Sequence, residues 1–262
     1  MTRLIDRKNL VRKEFALQAR SCSTTSQRRP SEKLQPMIEL ARPVPHDAVL
    51  DVATGWGFVA LAFAPLVRTV IGVDLTPEMV TLAKEFVRER GASNVDVQVA
   101  DAEELPFGPG AFQLVTSRAA FDHLADPEKA LREMKRVLDP GGRMVLYEFI
   151  APGDLEKAHF YHEIERARDP SHLWSSSLHE FEALFLKCGL DVQERVITLL
   201  KRDFDSWMSS VDRVGGKEEK VRRLLEESIH GDRAGLAPRL RGGKLTFTHT
   251  QVAWSLFPRA ND

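Results

Sequence analysis

Cysteine is nearly missing: Cys22 and Cys188 are the only two in 262 residues. Two thiols so far apart supply neither a disulfide framework nor a thiol-based metal site, and they suit a reducing compartment. An excess of charge of either sign is missing as well. Lys and Arg number 37 against 38 Asp and Glu, a formal net charge of −1, which argues against a dedicated nucleic-acid binder. No apolar run approaches the ~18 residues that a membrane span requires. The opening "MTRLIDRKNLVRKEF" is too charged for a secretory signal. Together these absences predict a soluble, cytoplasmic protein with no membrane span, no metal site and no nucleic-acid partner. Internal repeats are absent too, which excludes a solenoid.

What is present is a chain long enough to bury a large core. Residues 1–40 read as helix and then loop, with "SCSTTSQRRPSE" as a polar connector. From Arg42 to Ile150 short apolar runs alternate with amphipathic helix patterns, the signature of a parallel sheet wound with helices. The predicted strands are "VLDV", "TVIGVDL", "VDVQVAD", "FQLVTS" and "RMVLYEFI". Thr76 with Pro77, and Asp126 with Pro127, open helices, the second of them closed by "DPGG". Residues 151–176 read as an irregular insertion. "SLHEFEALFLKCGL" is then a helix, "DVQERVITLL" a strand, "KEEKVRRLLEESIHG" an amphipathic helix and "KLTFTHTQVAWSLF" the last strand.

The stretch "VLDVATGWGFVALAF" carries the chemistry. A buried strand stops at Gly55 and Gly57, which lets a ligand approach the backbone. "GWGFVA" followed by Asp74 also fits the loose dinucleotide pattern of a nicotinamide oxidoreductase. Asp51 discriminates between the two readings. A fixed carboxylate there would repel a pyrophosphate at the helix N-terminus but welcome a cation. The residues therefore point to a cationic, adenosine-like cofactor.

"VLDVATGWG", "VIGVDLTPEMV" and "VQVADAEELPFGPGAFQLVTSRAAFDHLADPEKALREMKRVLDPGGRMVLYEF" together resemble the class I S-adenosylmethionine-dependent methyltransferases. Within them the run is similar to the small-molecule branch that includes the ubiquinone/menaquinone-biosynthesis C-methyltransferases. The resemblance spans roughly residues 45–150, and continues more weakly through "VRKEFALQA" and "RDPSHLWSSSLHEFEALF". It implies a Rossmann-like α/β fold: a seven-stranded, mostly parallel sheet with an antiparallel last strand, helices on both faces and a helical cap. It implies S-adenosylmethionine as cofactor, S-adenosylhomocysteine as product and a small-molecule methyl acceptor as partner. Asp51 would stand near the methionine end, with Ala53, Thr54, Gly55 and Gly57 supplying close backbone. Asp74 would accept from both ribose hydroxyls and Leu75 would pack on the adenine. Asp101 and Ala102 would recognise the exocyclic amine, and Ser117 and Arg118 would flank the cofactor. Trp56 stands where this branch often has a small residue.

An activated methyl needs mainly alignment and exclusion of water. A base is required only if the acceptor must lose a proton; the candidates are His123, His172 and His249, with His123 the catalytic choice. On the substrate side, His172 lies in "RDPSH", while Trp207 and Met208, near Phe204, could wall an apolar pocket. The expected organisation is an N-terminal helical cap over 1–40, then a methyltransferase domain over 41–262 with cap insertions at 151–176 and 200–243. Those cap segments should order over a filled site. Two other readings stay open here, an NAD(P)-dependent oxidoreductase and an S-adenosylmethionine-binding protein without methyl transfer. DNA amino-methylation is disfavoured because "SRAAF" replaces the Pro-Pro-aromatic motif, and arsenic methylation because thiols are scarce.

Overall fold

The computed structural model describes residues 2–21, 34–209, 211 and 216–259. Cys22 and most of the polar connector lie outside the described residues. Two helices, α1 (Thr2–Ser21) and α2 (Gln35–Ala41), precede the sheet. The alternation then runs β1 (Ala48–Val52), α3 (Phe58–Phe63), β2 (Thr69–Asp74), α4 (Pro77–Glu89), β3 (Val95–Val99) and β4 (Phe112–Arg118). It continues through α5 (Pro127–Val137), β5 (Leu138–Phe149), α6 (Leu155–Arg168), α7 (Leu178–Lys187) and β6 (Leu190–Asp203). The chain closes with α8 (Phe204–Met208), α9 (Lys217–Glu227), β7 (Arg239–Arg241) and β8 (Lys244–Pro258).

The sheet order is β3-β2-β1-β4-β5-β8-β6, with β7 paired to β8. Strands β1 to β5 are parallel, and β8 runs antiparallel to both β5 and β6. This is the expected seven-strand pattern with its antiparallel last strand, extended by the short β7. That strand turns into β8 through Gly242 and Gly243, both at positive φ, where glycine carries no steric cost.

Every residue of β1 is buried, as a strand covered on both faces must be. On one face Leu50, Val115, Leu146 and Trp254 pack with Leu131 and Met134 of α5 and Phe181 and Phe185 of α7. On the other, Val49, Leu114, Val145 and Ala253 meet Met37 of α2 and Phe63 of α3. A third core lies beyond the sheet, where Phe160 and Ile164 of α6 meet Trp207 and Met208 of α8 and Leu224 of α9.

The 151–176 insertion is not irregular. It contains α6, capped by Asp154, whose side chain accepts from Lys157 N. The apolar stripe that should have announced this helix is broken because its buried face also carries His162 and Glu165. The stretch before β1, read as loop, likewise ends in the short helix α2, opened by Pro36 in its first turn.

Candidate functional site

A cleft opens at the C-terminal ends of β1, β2 and β4, where backbone strain also gathers. After β1 the chain holds Ala53 at φ 56°, Gly55 at φ 55° and Gly57 at φ 79°; after β4, Ala119 sits at φ 51°. Left-handed alanines are costly and concentrate where function over-determines the backbone. Ala53, Gly55 and Ala119 line both halves of the cleft. A Cβ built on Gly55 would meet no protein atom within 4 Å, so the space beside this glycine is open for a ligand.

Asp74, at the end of β2, accepts from Gly55 N at 2.9 Å through Oδ2 and from Thr76 N at 2.9 Å through Oδ1. Each oxygen keeps a second lone pair, so the carboxylate can still receive two vicinal hydroxyls. Burial pushes its pKa up, against these hydrogen bonds. Asp51 is also buried, and burial raises its pKa to about 6 while hydrogen bonds from Thr54 and Thr116 pull the other way. Thr54 Oγ1 donates to Asp51 Oδ2 at 2.6 Å, and Thr116 Oγ1 donates to Asp51 Oδ1 at 2.9 Å. Asp51 thus ties the glycine loop, through Thr54, to β4, through Thr116. Gly72 makes this packing possible, since a Cβ there would stand 3.0 Å from the Thr54 side chain.

One half of the cleft is lined by Asp74, Leu75, Asp101, Ala102 and Ala120. Asp101 uses Oδ1 on Glu103 N at 2.9 Å. Its Oδ2 receives the Lys8 ammonium at 2.7 Å, and the same ammonium lies 2.6 Å from Glu103 Oε2. Lys8, Val11 and Phe15 of α1 form a wall of this half. The other half is lined by Asp51, Thr54, Trp56, Phe58 and Arg118, again with Phe15. Trp56 packs on Phe58 at 5.5 Å between ring centroids. Ser117 stays buried in the sheet between Val52 and Leu146 and supports the strand end without lining either half.

His123 lines the cleft, with its ring edge-on to Phe15 at 4.9 Å. Its Nδ1 lies 3.2 Å from the Ser171 carbonyl. A carbonyl only accepts, so that nitrogen carries the hydrogen. Its Nε2 is 3.6 Å from Asp122. His172 is buried deeper, linking Asp122 Oδ2 at 3.1 Å to His162 Nδ1 at 3.0 Å. His162 stacks on Trp174 with ring centroids 3.8 Å apart. Burial and the neighbouring His172 lower the pKa of His162 to about 3. Burial opposes protonation of His172 too, but Asp122 outweighs it and the pKa rises. Asp122 thus favours the protonated form of His172, while burial favours the neutral form of His162.

Trp207 packs on Phe247 and His249, whereas Met208 is fully buried in the satellite core. Asp169 accepts from Ser171 N and Oγ, and from Gln18 of α1 at 2.9 Å. Sequence reasoning assigned no role to Lys8, Phe15, Glu103 or Ala119. For Phe15 the available signal was "VRKEF", whose helix carries it toward the cleft; Lys8 lies one turn ahead of that stretch on the same helix. Among the described residues no cluster of three or more His, Cys, Asp or Glu could hold a metal, and no helix is long and apolar enough to cross a membrane.

A family model described as "Methyltransferase domain" matches residues 50–146. The uncharacterised methyltransferase YcgJ of Bacillus subtilis is 40% identical over 199 residues, 76% of this chain and 78% of that protein. The ubiquinone/menaquinone biosynthesis C-methyltransferase UbiE of Geotalea daltonii is 39% identical over 129 residues, 48% of this chain and 55% of that one. The crystal structure of YcgJ superposes with a TM-score of 0.81 at 34% identity, covering 87% of this chain and 98% of that chain. A putative methyltransferase from Bacillus halodurans superposes with a TM-score of 0.80 at 26% identity, covering 86% and 98%.

Proposed function

The chain belongs to the class I S-adenosylmethionine-dependent methyltransferases, and on that premise we propose that it methylates a small molecule presented at the Arg118 end of the cleft. S-adenosylmethionine is its cofactor, and when bound it supplies an activated methyl group. The observation that carries the site assignment is Asp74, which fixes the glycine loop through Gly55 while keeping lone pairs for a ribose. Leu75 and Ala102 would flank the adenine, with Asp101 accepting from its amine. Asp51, Ala53, Thr54, Gly57 and Arg118 would surround the amino-acid end. A nicotinamide dinucleotide would leave Asp51 facing a pyrophosphate.

The residues outside the glycine-rich core then orient the acceptor and exclude water. His123 would shape the wall between cofactor and acceptor, held by Ser171, and His172 would support it from behind through Asp122. Trp207 would back the acceptor side. Orientation alone can supply about 7–11 kcal/mol of barrier lowering, so no side chain is required as a base.

Calorimetric titration with S-adenosylmethionine, S-adenosylhomocysteine, NAD and NADP tests the cofactor site, and release of S-adenosylhomocysteine across an acceptor panel tests transfer. Binding of the adenosyl compounds alone is expected; NAD binding without them would overturn the site assignment. His123→Ala is expected to lose stability through the Ser171 and Phe15 contacts and to keep its rate within about ten-fold. A fall of about 10²–10⁴-fold at unchanged stability would instead make His123 a general base.

A further inference from the structure

Beyond the C-terminal ends of β4 and β5, three arginines meet a set of aromatic rings. The Arg118 guanidinium carbon lies 5.8 Å from the Tyr147 ring centroid, that of Arg202 5.4 Å from Phe149, and that of Arg168 4.5 Å from Trp207. His249 joins these rings, 5.2 Å from Phe149 and 5.5 Å from Trp207. Gln251 follows two residues on, on the same face of β8, paired with Phe149 of β5. Partners are short here. The buried Nε atoms of Arg118 and Arg202, His249 Nδ1 and both amide atoms of Gln251 have no hydrogen-bond partner among the described residues. Folded proteins rarely leave so many buried polar atoms unmatched in one place without a ligand or water to complete them.

Charge decides what kind of ligand. Arginine keeps its proton in proteins, so the cluster holds three cations. Of the nearby acids, Glu165 offsets part of this charge, acting on Arg168 and Arg202, and the others are engaged elsewhere. Glu165 accepts from His249 Nε2 at 2.9 Å. Glu148 accepts from the N–H groups of Ala120 and Phe121, and burial pushes its pKa far up. Asp51 holds its two threonines. The crowding is visible in Arg202, whose pKa falls to about 10 through burial and then through the charges of Arg168 and Arg118.

Resting on the methyl-transfer reading above, we propose that this cluster seats an oxyanion of the acceptor, a carboxylate or a phosphate group, between Arg202 and Arg118, with Gln251 completing its hydrogen bonds. Arg118 also lines the half of the cleft with Asp51 and Trp56, proposed above for the amino-acid end of the cofactor, so an acceptor anchored here lies next to the methyl-bearing end. The cofactor's own carboxylate can occupy Arg118, which leaves Arg202 and Gln251 for an anion of the acceptor.

The test is calorimetric titration of the protein, saturated with S-adenosylhomocysteine, with benzoate, benzamide and inorganic phosphate at matched ionic strength. Benzoate or phosphate is expected to bind and benzamide not, and the stronger of the two anions identifies the group. Arg202→Gln should weaken that anion about ten-fold or more and leave S-adenosylhomocysteine affinity unchanged. Gln251→Leu, which removes the unmatched amide, should fold at least as stably as the parent and also bind the anion more weakly. The proposal is overturned if the parent takes neither anion, if it takes benzamide equally, or if both variants bind as the parent does. It is also overturned if Arg202→Gln loses S-adenosylhomocysteine, since the cluster would then belong to the cofactor. A parent that fails to bind S-adenosylhomocysteine at all refutes the methyl-transfer reading instead, and the same anion titration without cofactor still reads the cluster.

Discussion

Both carboxylate oxygens of Asp74 already accept backbone N–H groups, from Gly55 and from Thr76, so the residue binds its own loop as well as a ribose. Asp74→Ala should therefore have two effects. Losing charge-assisted hydrogen bonds worth about 1.5–3 kcal/mol weakens cofactor affinity roughly ten- to 150-fold. Leaving two amides without their acceptor costs about 1–3 kcal/mol of stability, more than the sequence suggested when it placed this carboxylate only toward the ligand. Calorimetry and denaturant titration of the same variant check both. Asp51 gives a pH signature. Its folded pKa of about 6 lies above the unfolded value of about 3.9, so the native state holds the extra proton. The stability it confers is present below pH ~4 and lost as pH rises through 6, by roughly 3 kcal/mol in all. A bound cation favours the carboxylate, so S-adenosylmethionine should bind more tightly at pH 7.5 than at pH 5 and release a proton on binding near pH 5.5. Asp51→Asn should flatten that dependence; an unchanged slope in this variant would assign it to another group.

At the scale of elements, α1 is the part with most to say about access. It reaches across the cleft through Lys8 to Asp101 and Glu103, through Phe15 to His123, through Gln18 to Asp169 and through Glu14 to Lys217 of α9. The ion pairs are partly buried, with Glu103 nearly fully so, and the Phe15 ring adds a contact worth about 1 kcal/mol, so the helix meets the cleft through a few side chains that a ligand can displace. Phe15 touches both halves of the cleft. Phe15→Ala should weaken cofactor binding about ten-fold with little change in global stability, and stopped-flow dissociation of S-adenosylhomocysteine should show the loss mainly as a faster off-rate. An unaltered off-rate would remove α1 from the gate. The sheet around the cleft was legible in the sequence because buried parallel strands read as apolar runs ending in glycine or aspartate, as "VLDVATG" and "VIGVDL" do. The helix α6 was not, because His162 and Glu165 occupy its inner face and break the period of 3.6. Nor was the arginine cluster, since Arg118, Arg168 and Arg202 are brought together only by the pairing of β8 between β5 and β6.

The whole molecule divides its buried charge unevenly, and that governs how it should respond to acid. The two cores flanking the sheet are almost wholly apolar, while the region under α6 holds two neighbouring hydrogen-bonded groups, Asp122 with His172 and His162, and Glu165 with His249. His162 is neutral in the fold, with its pKa lowered to about 3, but takes a proton near 6.5 once unfolded. Its contribution is fully present above pH ~6.5 and lost as pH falls toward 3, by no more than about 5 kcal/mol. Glu165, held down to about 2 mainly by His249 against its own burial, adds to the same trend, since its stabilisation is present above its unfolded pKa and lost as pH falls. His172 works against it, because its raised pKa confers stability below its unfolded value that fades as pH rises through the folded one. The first two terms outweigh the third below pH 5, where His172 is charged in both states. Asp51 works the other way over the same interval, since its raised pKa gives stability that grows as pH falls below 6, so the His162 share is read as a difference between variant and parent. His162→Phe keeps a ring against Trp174 and removes the titrating group, so in denaturant unfolding it should lose less stability, or gain more, than the parent on going from pH 6 to pH 4. If the two proteins respond in parallel, the neutral state of His162 is wrong.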